Sequence, residues 1–224
     1  MTGSRLPGES AGYRAARDEL TAAEHELTAA TERVAALRRA LPPGGLVPED
    51  YVFTEGPDDL ERDLPERRVP LSGLFGGQDT LVLYSFMYGP LMDEGCPMCT
   101  SLIDGLNGSA PDIERRVSFG VVASSPLERL RAYARACGWD RLRLLSSAGS
   151  RYNRDYLAET AEGEQRSVMN VFTRRDGEIR HFYATEKGPT APGQDDRHVD
   201  MLWPLWNVLD LTPGGRPSSW RPGA

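Results

Sequence analysis

The chain has 224 residues, 39% apolar and 26% charged, with a formal net charge of −7 and a pI near 5.1. The acidic balance argues against a nucleic-acid partner, because phosphate binding draws on clustered Lys and Arg. No stretch approaches the roughly 20 apolar residues that cross a bilayer, and the first residues lack the apolar run of a secretory signal. We therefore predict a cytoplasmic protein without a membrane partner.

The first predicted element is a long amphipathic helix over about residues 11–41. Its apolar residues recur at spacings of three and four, which places them on one helix face: Leu20, Ala23, Leu27, Ala30, Val34 and Leu37. This face is expected to pack on the same chain or to form a homodimer with a second copy. We divide the chain into an N-terminal tail and helix (1–45), one domain (46–213) and a flexible tail (214–224).

The first half of the domain is predicted to begin with a short strand at residues 51–53, followed by a charged loop and a turn at 69–77. A strongly strand-like run covers residues 80–88. It leads to the motif Cys96-Pro97-Met98-Cys99, where the apolar spacing changes to that of a helix. The motif is therefore expected at a strand-to-helix junction.

The second half begins with strands predicted at 116–123 and 141–147, separated by a helix that is capped by Ser124 or Ser125. A polar loop is predicted over 148–166. A hairpin with Asp-Gly at its turn follows, and the last predicted helix is kinked at Pro204. This order predicts an α/β protein with a mixed central sheet flanked by helices, in the thioredoxin-like arrangement.

The C-x-x-C motif places two thiols at a helix N-terminus. Orphan backbone N–H groups and the positive end of the helix dipole stabilise a thiolate there, and the thiolate is the nucleophilic form of cysteine. The chain has three cysteines, too few for a structural disulfide framework. A structural zinc site would require a second cysteine pair or two closely spaced histidines, and the sequence has neither.

Four segments resemble a bacterial family of thioredoxin-like proteins of unknown function, labelled dithiol-disulfide oxidoreductase-like or peroxiredoxin-like. These segments are CPMCTSLIDGLNG, LRLLSSAGSRYNRDY, NVFTRRDGEIRHFYA and RHVDMLWPLWNVLDLTP. Together they span about residues 71–213. The resemblance implies a thioredoxin-like fold and a thiol chemistry, but it names no substrate.

By analogy with the thioredoxin superfamily, Cys96 is expected to attack and Cys99 to resolve the mixed disulfide. The expected substrate is a small thiol or a protein disulfide, with no cofactor. Pro97 lacks an N–H and fits the first helical turn. Met98 and Tyr88 are the other residues expected to support the motif.

Two departures separate this chain from familiar redox enzymes. Thioredoxins carry a cis-proline before the strand that faces C-x-x-C, whereas residues 166–170 contain no proline. Peroxiredoxins carry P-x-x-x-T-x-x-C, whereas Asp93 stands three residues before Cys96. A general protein-disulfide reductase and a peroxidase are both less favoured for these reasons.

Two other classes of function remain open. A copper protein could use Cys96 and Cys99 as soft ligands, with Met98 and either His198 or His181 completing the set. A scaffold could keep the fold without the reaction.

The remaining candidate residues have structural interpretations. Cys137 is expected to be a packed thiol, and Trp203 and Trp206 are expected to pack in the core. Asp93 and Glu94 would raise the pKa of a nearby thiol if they lie close to it.

Overall fold

The computed structural model describes residues 6–62, 65–185, 200–216 and 222. They form two compact units, one ending at Pro42 and the other beginning at Pro43. The first unit contains helix α1, Ala11–Arg39, which confirms the long N-terminal helix. The Oγ of Ser10 caps this helix by accepting the Tyr13 N–H at 3.1 Å.

The second unit is built on a seven-stranded mixed sheet in the order β2-β1-β5-β4-β3-β6-β7. Its strands are β1 Val52–Glu55, β2 Arg67–Pro70, β3 Thr80–Ser85, β4 Ser118–Ala123, β5 Leu144–Ser146, β6 Val168–Arg175 and β7 Glu178–Ala184. Its helices are α2 Leu71–Leu74, α3 Pro97–Glu114, α4 Leu127–Cys137, α5 Tyr152–Asp155 and α6 Pro204–Asp210, with a 3₁₀ turn at Asp200–Leu202.

The centre of this sheet has the predicted thioredoxin-like connectivity. Strands β3, β4 and β5 run parallel and are joined by α3 and α4, as parallel strands require helical crossovers. Strand β6 pairs antiparallel with β3 and with β7. The β6–β7 turn has left-handed φ angles of 53° at Asp176 and 82° at Gly177, as the Asp-Gly signal predicts.

Each face of the sheet has its own buried cluster, because successive side chains of a strand point to opposite faces. On β3, Tyr84 joins the cluster that contains α3, whereas Leu83 joins the other. Trp203 and Trp206 lie in the α3 cluster, which confirms their expected core packing. No helix in the described part of the chain is long and apolar enough to span a membrane.

The structure corrects two predictions of turns and loops. The predicted turn at 69–77 is the end of β2 followed by α2, whose Leu71 and Leu74 are fully buried. The predicted polar loop at 148–166 contains α5, and its Tyr152 is buried against Phe53 with ring centroids 4.9 Å apart. In both places long-range apolar contacts prevail over a local composition typical of loops.

Two helix ends also differ from the prediction. The N-cap of α4 is Pro126, while Ser124 Oγ donates instead to Gln165 Oε1 at 2.7 Å. Pro204 begins α6 and does not kink it, because the first helical turn needs no N–H from that position. Two predicted segments lie outside the described residues. They are residues 196–199 of the last predicted helix, including His198, and most of the predicted tail 214–224.

Candidate active site

The loop between β3 and α3 fixes the position of the C-x-x-C motif. The Cys96 N–H donates to the Met87 carbonyl at 3.0 Å, and the Cys96 carbonyl accepts the Thr100 N–H at 2.9 Å. Cys96 is the N-cap of α3 and Pro97 is its first residue, as predicted. The first thiol therefore lies at the N-terminus of an 18-residue helix.

Gly95 sets the distance between this loop and the core. A Cβ at this position would lie 2.2 Å from Cζ of the Phe86 ring, which is far inside van der Waals contact. The backbone before Cys96 can approach the ring this closely because glycine has no side chain.

The two cysteines have different environments. Both are free thiols, but Cys96 is partly exposed whereas Cys99 is 4% exposed. Their side chains lie close enough that Cys96 influences the pKa of Cys99. One sulfur therefore faces the surface and the other lies behind it in the core, as a nucleophile and its resolving partner require.

The pKa of the Cys99 thiol is raised well above its usual range. The largest cause is the hydrogen bond to Cys96, followed by burial and by the negative charge of Cys96. The Tyr84 hydroxyl and the Met87 backbone act in the opposite direction, because both form hydrogen bonds to the Cys99 sulfur. Cys99 therefore holds its proton more tightly than an ordinary cysteine does.

Tyr84 is a site residue that the sequence pattern assigns to the strand core. Its ring is 2% exposed, and its hydroxyl group interacts with Cys99 and with Ser167. Its pKa is raised, first by burial and then by the neighbouring Cys99, so it remains a neutral phenol that can donate to sulfur. Ser167 precedes β6, in the segment where thioredoxins have their cis-proline.

Tyr88 and its neighbours form an aromatic support beneath the start of α3. The Tyr88 ring lies 5.3 Å from that of Tyr133, and the Arg129 guanidinium lies 5.0 Å from the centre of the Tyr88 ring. The hydroxyls of Tyr133 and Thr100 are 2.9 Å apart, and Thr100 Oγ1 donates to the Cys96 carbonyl at 3.1 Å. Hydrogen bonds thus connect the aromatic cluster to the backbone of Cys96.

A cavity of about 640 Å³ is lined in part by Met87, whose carbonyl accepts the Cys96 N–H. It is lined by Met87, Leu157, Glu164, Gln165, Arg166, Ser167, Val168 and Thr185. Met87 and Ser167 belong both to this wall and to the hydrogen-bond network of Cys99 and Tyr84. The volume lies within the range of small-molecule binding sites.

The other predicted candidates lie apart from the pair or play packing roles. His181 is on β7, where its Nε2 is 2.9 Å from Asn170 Oδ1 and its ring contacts Phe172 in the opposite-face cluster. Cys137 ends α4, and burial followed by the charge of Asp104 raises its pKa. Its environment is that of a packed thiol.

The acidic residues before the motif, Asp93 and Glu94, are exposed. Met98 is partly buried against the α3 cluster. Among the described residues, no group of three or more His, Cys, Asp or Glu side chains is placed to hold a metal ion. The copper site with His198 involves a residue outside the described part of the chain, so it stays a prediction.

The sequence matches the family described as "Bacterial protein of unknown function (DUF899)" over residues 4–223. The chain belongs to this family. No curated protein sequence matches it.

Several solved structures have a similar fold. The chain is similar to AhpC of Enterococcus faecalis, with 11% identity, 75% of this chain and 93% of that chain covered, and a TM-score of 0.49. AhpC of Mycobacterium tuberculosis shows 14% identity, coverage of 77% and 97%, and a TM-score of 0.48. A peroxiredoxin-like protein from Aquifex aeolicus shows 18% identity, coverage of 74% and 88%, and a TM-score of 0.44. The thioredoxin-like assignment itself follows from the strand connectivity.

Proposed function

We propose that the chain is a dithiol-disulfide oxidoreductase that reduces a small disulfide or a protein disulfide. Cys96 is the nucleophile and Cys99 is the resolving thiol. The observation that supports this function best is the asymmetry of the pair: a partly exposed cysteine at a helix N-terminus lies beside a buried one.

In the first step, the Cys96 thiolate attacks one sulfur of the substrate disulfide. A Cys96–substrate disulfide forms, the substrate S–S bond breaks, and the other half leaves as a thiolate that takes up a proton. The N-terminus of α3 favours the attacking form, because its backbone N–H groups and dipole stabilise negative charge.

The first step activates Cys99 for the second step. Once Cys96 is bound in a mixed disulfide, it carries no charge. Its hydrogen-bonding interaction with Cys99 and its negative charge, which both raise the Cys99 pKa, are then lost. Burial remains, opposed by the hydrogen bonds from Tyr84 and from the Met87 backbone. The pKa of Cys99 therefore falls only after the substrate has reacted.

The Cys99 thiolate then attacks the Cys96 sulfur. A Cys96–Cys99 disulfide forms, and the second half of the substrate leaves as a thiolate, which receives the proton that Cys99 has lost. The substrate has gained two electrons and two protons, and the dithiol has lost them. Two molecules of a small cellular thiol close the cycle: they reduce the Cys96–Cys99 disulfide and are themselves oxidised to a disulfide, with the loss of two electrons and two protons.

The cavity beside Met87 and Ser167 is the substrate site in this proposal. Its volume of about 640 Å³ suits a small disulfide or one bend of a peptide. We assign the reaction to the cytoplasm, where a C-x-x-C pair is kept reduced between turnovers.

Stopped-flow release of thiol from oxidised glutathione and from a disulfide-bonded peptide tests this function. We expect wild-type protein to reduce at least one of these probes, and Cys99→Ser protein to accumulate a Cys96–probe mixed disulfide visible by mass spectrometry. Cys137→Ser is the matched control and should behave as wild type. Failure to reduce either probe, or faster oxidation by hydrogen peroxide than by both, would contradict the proposal.

A further inference from the structure

Helix α1 has a seven-residue repeat along one face. Large apolar residues recur every seven positions, and a second series lies three positions after each of them. The first series is Tyr13, Leu20, Leu27 and Val34, and the second is Ala16, Ala23, Ala30 and Leu37. A spacing of seven over four repeats is typical of coiled coils, in which both series form the contact seam.

The side chains of this seam are not buried. None of the side chains of the helix is buried, and Leu27 at its centre is 68% exposed. Helices gain most of their stability in proteins by packing an apolar face. A 29-residue helix with a continuous apolar seam therefore needs a partner for that face.

We propose that α1 forms an antiparallel coiled coil with α1 of a second copy of the chain. In an antiparallel pair, each residue of the first series faces one of the second series, so Leu27 meets an alanine of the partner helix. In a parallel pair, each series faces itself, so Ala23 would meet alanine and leave a gap. Large side chains facing small ones fill the seam more evenly.

The charges beside the seam also favour the antiparallel orientation. Glu19, Glu26 and Arg33 each precede a large seam residue, and their neighbours at three and four positions are alanine or leucine. These neighbours offer no opposite charge within the same helix. The three side chains are therefore free of intrahelical pairing and lie where a partner helix passes.

A parallel pair would bring like charges together. Flanking residues five positions apart meet across parallel helices, so Glu19 would face Glu24 and Arg33 would face Arg38 of the second copy. In an antiparallel pair, Arg33 faces Glu26 in one register and Glu19 in the next, where the two Glu26 side chains also meet. Either register gives Arg33 an opposite charge, which a parallel pair does not. The second copy therefore supplies both the apolar and the charge complement of this helix.

Sedimentation velocity of the full chain in reducing buffer tests the interface. We expect a concentration-dependent dimer for wild-type protein and a monomer for Leu27→Glu. Ala29→Glu introduces the same charge on the opposite face of the helix and should leave the dimer intact. A wild-type monomer at all concentrations, as expected if the helix packs on its own chain, or an unchanged Leu27→Glu dimer would overturn the proposal.

A charge reversal tests the orientation. Arg33→Glu should raise the dissociation constant of the dimer about tenfold if the helices are antiparallel, because two attractions become repulsions. It should lower this constant if they are parallel, which would overturn the orientation. Adding Glu19→Arg and Glu26→Arg should restore wild-type affinity in the antiparallel arrangement, and circular dichroism shows that each variant keeps its helix content.

Discussion

Each face of the central sheet carries an aromatic cluster, and the two clusters differ in the hydrogen-bond partners of their residues. The cluster on the α3 face contains Tyr84, Phe86, Tyr88, Tyr133 and Trp139. The cluster on the opposite face contains Tyr51, Phe53, Tyr152, Tyr156 and Phe172. Both clusters are largely buried, so burial and composition alone do not distinguish them.

The α3 face directs its polar atoms towards the cysteine motif. The Tyr84 hydroxyl interacts with Cys99 and lowers its pKa. The Tyr133 hydroxyl bonds to Thr100, which in turn donates to the Cys96 carbonyl. This face therefore supports the thiols both at the sulfur and at the backbone.

The opposite face pairs its polar atoms with structural partners. The Tyr51 hydroxyl donates to Asp155 at 2.6 Å, and His181 pairs with Asn170. Burial raises the pKa of Tyr156 to about 12, so this tyrosine stays neutral at physiological pH. The two faces therefore differ in the hydrogen-bond partners of their aromatic residues and not in their aromatic content.

The largest expected effect is the difference between replacing the candidate nucleophile on the α3 face and replacing the histidine on the opposite face. Cys96→Ser should lower disulfide reduction by at least about a thousandfold, because a hydroxyl cannot replace the attacking thiolate. His181→Gln, on the opposite face, should change the rate per folded molecule by less than about twofold. The assay is thiol release from oxidised glutathione, and equal losses in both variants would refute the distinction.

A smaller effect is expected for the tyrosine that contacts Cys99. Tyr84→Phe should slow the resolving step by about tenfold to a hundredfold, because it removes a hydrogen bond to a developing thiolate. The first step should be unchanged, so mixed disulfide should accumulate in rapid-quench samples. Tyr51→Phe is the control on the opposite face: it should lose about 1 kcal/mol of stability and keep the wild-type resolving rate.

The glycine before the motif should affect stability. Gly95→Ala should lower the free energy of unfolding by about 1–3 kcal/mol, because the added methyl overlaps the Phe86 ring. Gly108→Ala, at an open position in α3, should instead raise it by up to about 1 kcal/mol. Urea unfolding of both variants measures the difference. A change of the same sign in both free energies of unfolding would contradict the close contact between Gly95 and the Phe86 ring.

The last expected effect is a change in titration and not in rate or stability: a shift of the Cys99 pKa. Cys96→Ala removes the hydrogen bond and the charge that raise this pKa, while burial stays. The Cys99 thiolate should therefore form at lower pH than in the wild type, yet above the pH of an ordinary cysteine. Thiolate absorbance against pH measures it, with Cys137→Ala as the control. An unchanged or higher Cys99 pKa would show that Cys96 does not help Cys99 to keep its proton.

Much of this architecture could be predicted from local sequence patterns. The strand-like run at β3, Pro97 after Cys96 and the Asp176-Gly177 turn each have a local physical cause, and the corresponding elements are confirmed. Pro204 is compatible with either a kink or a helix start, so its local signal was ambiguous.

The missed features depend on distant partners. Tyr152 is buried because Tyr51, Phe53 and Phe172 surround it, and no local pattern encodes those neighbours. Tyr84 and Cys99 are 15 positions apart, and a tyrosine in an apolar strand gives no sign of its hydroxyl partner. The hydrogen-bond network of the pair therefore emerges only from the fold.

Thiol trapping after mild oxidation tests the central claim most directly. Reduced protein is exposed to oxidised glutathione, alkylated and mapped by mass spectrometry. We predict one intramolecular disulfide between Cys96 and Cys99 that a small thiol reverses, while Cys137 remains alkylated. A scaffold would leave all three cysteines alkylated, and that result, or a disulfide that includes Cys137, would contradict the account.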